Sequence, residues 1–115
     1  MQRSSTKQSR APNADEKRFM SWCKEQPSIV SGQYGVEVHH CVGSSFKARA
    51  GVERVLIGHW FCIPLTPQEH WLYHNRKNEF RISCGIQTDL WLNLIDGYDL
   101  PIPQEVIEAI VHYGK

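Results

Sequence analysis

The chain has 115 residues, 13.3 kDa and a formal net charge of +1. This length fits one domain with a small core, burying roughly 60 to 70% of its unfolded surface, so a bound metal would add usefully to its stability. The longest strongly apolar run, Trp60 to Leu65, is far too short to span a bilayer, and Met1-Gln2-Arg3-Ser4-Ser5-Thr6-Lys7 carries no apolar segment of a leader. Cys23, Cys41, Cys62 and Cys84 are spread singly with no C-x-x-C pair, which points to a reducing compartment and a cytoplasmic protein without membrane partners. Positive charge concentrates in residues 1–81, whereas 82–115 carries Lys115 alone against Asp89, Asp96, Asp99, Glu105 and Glu108. A polyanion would meet the first two thirds of the chain and avoid the last; ordinary solvated surface charge explains the same pattern.

Residues 1–14 are rich in Ser, Gln, Arg, Asn and Pro with nothing to bury, and read as a disordered basic tail before a domain at 15–115. From Asp15 to about Gln26, Phe19, Trp22 and Cys23 share one helical face, and Pro27 stops the segment. The run 36–42 alternates between Gly35 and Gly43 and predicts a strand. A polar loop is expected from Ser44 to Arg54, then a second extended run from Val55 to Leu65 pairing back on the first, with Pro64 at its end or edge. Thr66-Pro67-Gln68-Glu69 is a helix start, with Thr at the N-cap, Pro at N1 and Glu at N3, and the helix should reach about Arg76. After a polar break, Thr88 to Ile95 and Pro103 to His112 read as two further helices, each with a Gly beyond its end. The expected class is α+β.

Five of the six histidines lie between positions 39 and 74. His70 and His74, one helical turn apart, place their rings on one face about 5 to 6 Å apart at Cβ, a spacing that lets both reach one ion. His39 and His40 are strand neighbours and point to opposite sides of the pleat, so they cannot share one role. One can complete a three-histidine site with the helix while the other faces a separate space. A bland reading stands beside this one: a core histidine bonded to a carbonyl, and a surface histidine. Trp22, Trp60, Phe61 and Trp71 read as core rather than as platforms for bases.

The succession Val38-His39-His40-Cys41, a basic loop, His59-Trp60-Phe61-Cys62-Ile63-Pro64-Leu65, then His70-x-x-x-His74 resembles the ββα-metal motif of the His-Me finger (HNH) endonucleases, including the colicin-type DNases and phage-encoded Ref-like recombination nucleases. The resemblance covers about residues 18–97. It implies a ββα-metal core at about 36–76 flanked by an N-terminal helix and C-terminal helices. By position, His39, His70 and His74 would bind one divalent ion (Mg, Mn, Zn or Ni), and His40 would be the general base. His59 falls where the family has an Asn that braces the loop holding the base; an imidazole can still donate and accept hydrogen bonds there. Some phage relatives carry a C-x-x-C zinc knuckle just upstream. Here Ser28-Ile29-Val30-Ser31-Gly32 stands in that place, so no structural zinc is expected and packing should hold the turn.

The implied activity is metal-dependent hydrolysis of phosphodiester bonds in double- or single-stranded DNA with little sequence preference, in phage or prophage recombination and DNA processing alongside recombination or phage proteins. Lys47, Arg49 and Arg54 in the loop, with Arg76, Lys77 and Arg81 after the helix, are candidate phosphate contacts. Two other readings remain open: a noncatalytic metal-stabilised nucleic-acid-binding module, and a metal-free helical interaction domain with incidental histidines.

Overall fold

Helix α1 (Ala14–Glu25) begins at a reciprocal cap: Asn13 Oδ1 accepts from the Glu16 N–H at 2.8 Å, and Glu16 Oε1 accepts from the Asn13 N–H at 2.9 Å. The computed structural model describes residues 11–43, 50–51 and 53–114. Most of the tail expected at 1–14 lies outside these residues. Its last positions do not belong to a tail, because Asn13 is the cap and Ala14 is already helical.

Strand β1 (Glu37–His40) pairs antiparallel with β2 (Cys62–Leu65), His39 opposite Ile63 and His40 opposite Cys62. Pro64 sits opposite Val38. A two-stranded sheet consists of edges, and its outer side has no ladder bond for Pro64 to lose. The second extended run is shorter than the sequence suggests. Val55, Leu56 and Ile57 belong to helix α2 (Glu53–Ile57), which ends where Gly58 takes φ +53° and donates its N–H to Arg54 O at 2.9 Å. Strand preference of β-branched residues is weak and yields to tertiary context, and a left-handed glycine is a helix stop.

Helix α3 (Pro67–Asn75) starts as its sequence requires. Thr66 Oγ1 accepts from the Glu69 N–H at 3.2 Å, and Glu69 Oε1 accepts from the Thr66 N–H at 2.8 Å. The expected polar break is mostly helix α4 (Lys77–Cys84), amphipathic enough to bury Phe80 completely. Helices α5 (Gln87–Ile95) and α6 (Gln104–Tyr113) complete a small α+β domain of six helices and one two-stranded antiparallel sheet among the described residues. None of these helices is long and apolar enough to cross a membrane.

One core joins these elements. Phe19 and Cys23 of α1, Ile57, Cys62, Ile63, Leu65, Trp91 of α5 and Ile110 of α6 are all fully buried. Trp91 donates Nε1–H to Trp60 O at 2.8 Å, so its polar tip is satisfied inside that core. Trp71 is the exception to the expected tryptophans: it is 58% exposed, because α3 turns its histidine face inward and its tryptophan edge outward. All four cysteines are free, and three are buried. Burial pushes the Cys23 thiol up to about 12 and those of Cys41 and Cys62 well above the usual range, which keeps them protonated and inert.

The turn at residues 28–32 is held by hydrogen bonds as well as by packing. Ser28 Oγ accepts from the N–H groups of Val30 and Ser31 at 3.0 and 3.1 Å and donates to Glu69 Oε1 at 2.6 Å. The Ile29 N–H then meets Pro64 O at 3.1 Å. Ser28 and Glu69 thereby tie this turn to the start of α3.

Candidate metal centre and histidine pair

Alternation along β1 sends His39 inward, where it is 2% exposed, and leaves His40 exposed on the other face. On the inner face, α3 packs against both strands and brings His70 and His74 to His39. Ring centroids are 4.9 Å apart for His39 and His70, 5.6 Å for His39 and His74, and 4.7 Å for His70 and His74. One nitrogen from each ring lies within 4.8 Å of the other two, and this cluster could hold a metal ion. A tetrahedral ion with bonds of about 2.0 to 2.1 Å keeps its donors about 3.3 Å apart, so the rings need close by only an ångström or so. His74 is exposed and His70 partly so, which leaves them room to turn.

The donor chemistry fits an ion. Burial depresses the His39 pKa to about 4, helped by the neighbouring His70, His74 and His40 and opposed by the hydrogen bond to Gln87. At neutral pH this ring is therefore uncharged, the form that binds metals. Its Nε2 lies 2.6 Å from Gln87 Oε1, and His70 Nδ1 lies 2.7 Å from Glu37 Oε1. Gln87 in turn donates Nε2–H to the Tyr73 hydroxyl at 3.3 Å, and the Tyr73 ring stands 4.7 Å from that of His39.

On the outer face, His40 Nε2 is 3.3 Å from His59 Nδ1, with the two rings nearly perpendicular. Partial burial lowers the His40 pKa, and the adjacent His59 lowers it further. His59 is fixed through its backbone. Its N–H donates to Glu16 Oε2 at 2.8 Å, and its carbonyl accepts from the Cys62 thiol at 3.1 Å. Glu16 is a carboxylate with no exposed surface, and it ties the first turn of α1 to the chain just before β2.

The structure thus gathers His39, His70 and His74 on one side of β1 and His40 with His59 on the other. The candidate phosphate contacts do not form one group. Lys47 and Arg49 lie outside the described residues. Arg54 is half-buried in α2, its guanidinium donating to Gly51 O at 3.1 Å. Arg76 is exposed but pairs with Glu79 at 2.9 Å, Lys77 sits 5.4 Å from the Tyr73 ring centroid, and Arg81 is exposed on α4.

Sequence reasoning missed Glu37, Gln87, Tyr73 and Glu16. Glu37 was within reach, since it lies two residues before His39 and shares its face of the strand. Tyr73 sits on the same helix as the paired histidines. Gln87 and Glu16 carried no local signal, because their partners are 48 and 43 residues away.

No curated protein and no solved structure matches the chain. The family model described as "Protein of unknown function (DUF968)" matches residues 4–99, a span that takes in the five clustered histidines together with Glu16, Glu37 and Gln87, and the chain belongs to that family.

Proposed function

We propose that this protein is a metal-dependent DNA endonuclease of the His-Me finger (HNH) type, built on a ββα-metal core at about residues 36–76. The observation that carries the reading is the division of β1 into two faces, with three imidazoles converging on one side and a histidine pair open to solvent on the other. His39, His70 and His74 would hold a divalent ion, whose chemistry would be stabilisation of charge on the phosphoryl and leaving 3′ oxygens. Three imidazole donors match the ligand number of catalytic rather than closed structural sites.

The remaining chemistry belongs to the chain. His40 is the general base, since a ring that is neutral at neutral pH can take a proton from the attacking water. When its Nε2–H is donated to His59 Nδ1, the lone pair on Nδ1 of His40 is left for that proton. His59 orients the base in the place of the family's Asn, and Glu16 holds the His59 backbone still. Cleavage then leaves 5′ phosphates. Exposed Arg76, Lys77 and Arg81 supply phosphate contacts that carry no base information, in keeping with low sequence preference. The substrate is double- or single-stranded DNA.

The test is incubation of the full chain with supercoiled plasmid and Mg²⁺ or Mn²⁺, against a chelator control. Nicking that needs the ion and disappears in His40→Ala, with metal retained, supports the proposal. The His–His contact also allows a second reading, a noncatalytic metal-stabilised nucleic-acid-binding module, because if His59 Nδ1–H donates to His40 Nε2, the proton of neutral His40 sits on Nδ1 and no lone pair is left for water. Metal uptake and DNA binding without nicking in either salt would select that reading.

A further inference from the structure

We infer that Glu37 and Gln87 are positioning residues that each lock one imidazole of the cluster in the tautomer able to bind a cation. This rests on the reading that His39, His70 and His74 hold a divalent ion, and it adds residues from outside the strand-helix motif.

An ionised carboxylate only accepts hydrogen bonds, so the 2.7 Å contact from Glu37 requires the proton of neutral His70 to sit on Nδ1. Nε2 of His70 then presents a lone pair. The amide oxygen of Gln87, 2.6 Å from Nε2 of His39, imposes the reverse choice on that ring and leaves Nδ1 as its donor. In this arrangement the Gln87 nitrogen donates to the Tyr73 hydroxyl at 3.3 Å. Tyr73 is itself packed edge-on against the buried Phe80 at 5.4 Å.

Neither residue joins the three-imidazole cluster: Glu37 is not among its members, and an amide is a weak partner for the borderline metals that imidazoles prefer. They act instead from behind the rings. Acceptors in that place fix ring orientation and raise ligand basicity, and their loss characteristically costs metal affinity about 10- to 100-fold. Glu37 does this from β1 and Gln87 from the first turn of α5, so the cluster is complete only once α5 has docked.

Long-range ¹H–¹⁵N spectra of the metal-free full chain, above the pH at which the rings are charged, read the tautomers directly. The expected result is Nδ1–H on His70 and Nε2–H on His39; the opposite tautomer on either ring overturns the inference. Calorimetric titration with Zn²⁺ provides the second measurement. Glu37→Ala and Gln87→Ala should each weaken binding about 10- to 100-fold, and Glu37→Gln and Gln87→Glu, which keep an acceptor in place, should recover most of it. The metal-free melting temperature of Glu37→Ala should stay near the wild-type value, since Glu37 is half-exposed. Unchanged affinity in Glu37→Ala and Gln87→Ala overturns the inference but leaves the metal reading standing. A wild-type chain that takes up no Zn²⁺ removes both.

Discussion

The two faces of β1 differ in how their histidines are held. On the inner face the His39 ring is buried, and polar partners come from β1 itself and from α5. On the outer face His40 is exposed and its ring meets His59, which is anchored by its backbone. On the proposed reading the contrast is one between a holder and a reagent. A metal cluster gains from rings fixed in advance, because ordering them on binding costs affinity, whereas a base must stay accessible to water and substrate.

Changes on the two faces should therefore separate. The largest effect is expected outside: His40→Ala should lower plasmid nicking by about 10²- to 10⁴-fold while Zn²⁺ affinity in calorimetry stays unchanged. Equal loss of both would erase the division between the faces. Next comes the inner face, where His39→Ala removes a donor and should weaken Zn²⁺ binding by more than about 100-fold, beyond the effect of losing an outer partner.

Glu16 tests how firmly the outer face is braced. Glu16→Ala leaves the His59 N–H without its acceptor in a buried place and removes half of the α1 cap, so urea unfolding should report a loss of about 1 to 3 kcal/mol. A loss below about 0.5 kcal/mol would mean that this carboxylate does not hold the His59 segment. Thr66→Ala should cost about 1 kcal/mol by removing the side-chain cap of α3, seen as a drop of several degrees in melting temperature. Protein loaded with Zn²⁺ should show a smaller drop if, as proposed, an ion held by His39, His70 and His74 ties α3 to β1.

The smallest effect concerns acid stability. Burial raises the Glu69 pKa, but hydrogen bonds from Ser28, Ser31 and Thr66 outweigh it and hold the carboxyl below its usual value of 4.5. A depressed folded pKa contributes stability that is present above the unfolded value and lost as pH falls through the folded one. Stability measured from pH 6 downward should therefore decline below about pH 4.5 less steeply in Glu69→Gln than in wild type. Identical acid limbs would show that Ser28 and Thr66 do not select the ionised form.

Local patterns in the sequence carry much of this arrangement. The cap of α3 is written in Thr66, Pro67 and Glu69, and the i, i+4 spacing of His70 and His74 needs only a helix to place them together. Alternation along β1 already separates His39 from His40. These features survive because each depends on backbone geometry within a few residues. Where the sequence misled, a local preference met a stronger tertiary one. Val55 to Ile57 have strand-forming side chains, yet they are helical, with Ile57 fully buried in the core and Gly58 stopping the helix. The polar stretch from Lys77 to Cys84 winds into a helix that buries Phe80.

By itself the sequence determined an α+β chain with a capped helix carrying two histidines and a strand carrying two more. Only the tertiary structure decided that His39 faces the helix pair, that His59 lies against His40, that Glu37 and Gln87 meet the His70 and His39 rings, and that Glu16 meets the His59 backbone. The physical reason is range. A helix cap or a strand alternation is set by neighbours along the chain, whereas a buried polar contact across more than forty residues exists only after the core has brought its two ends together.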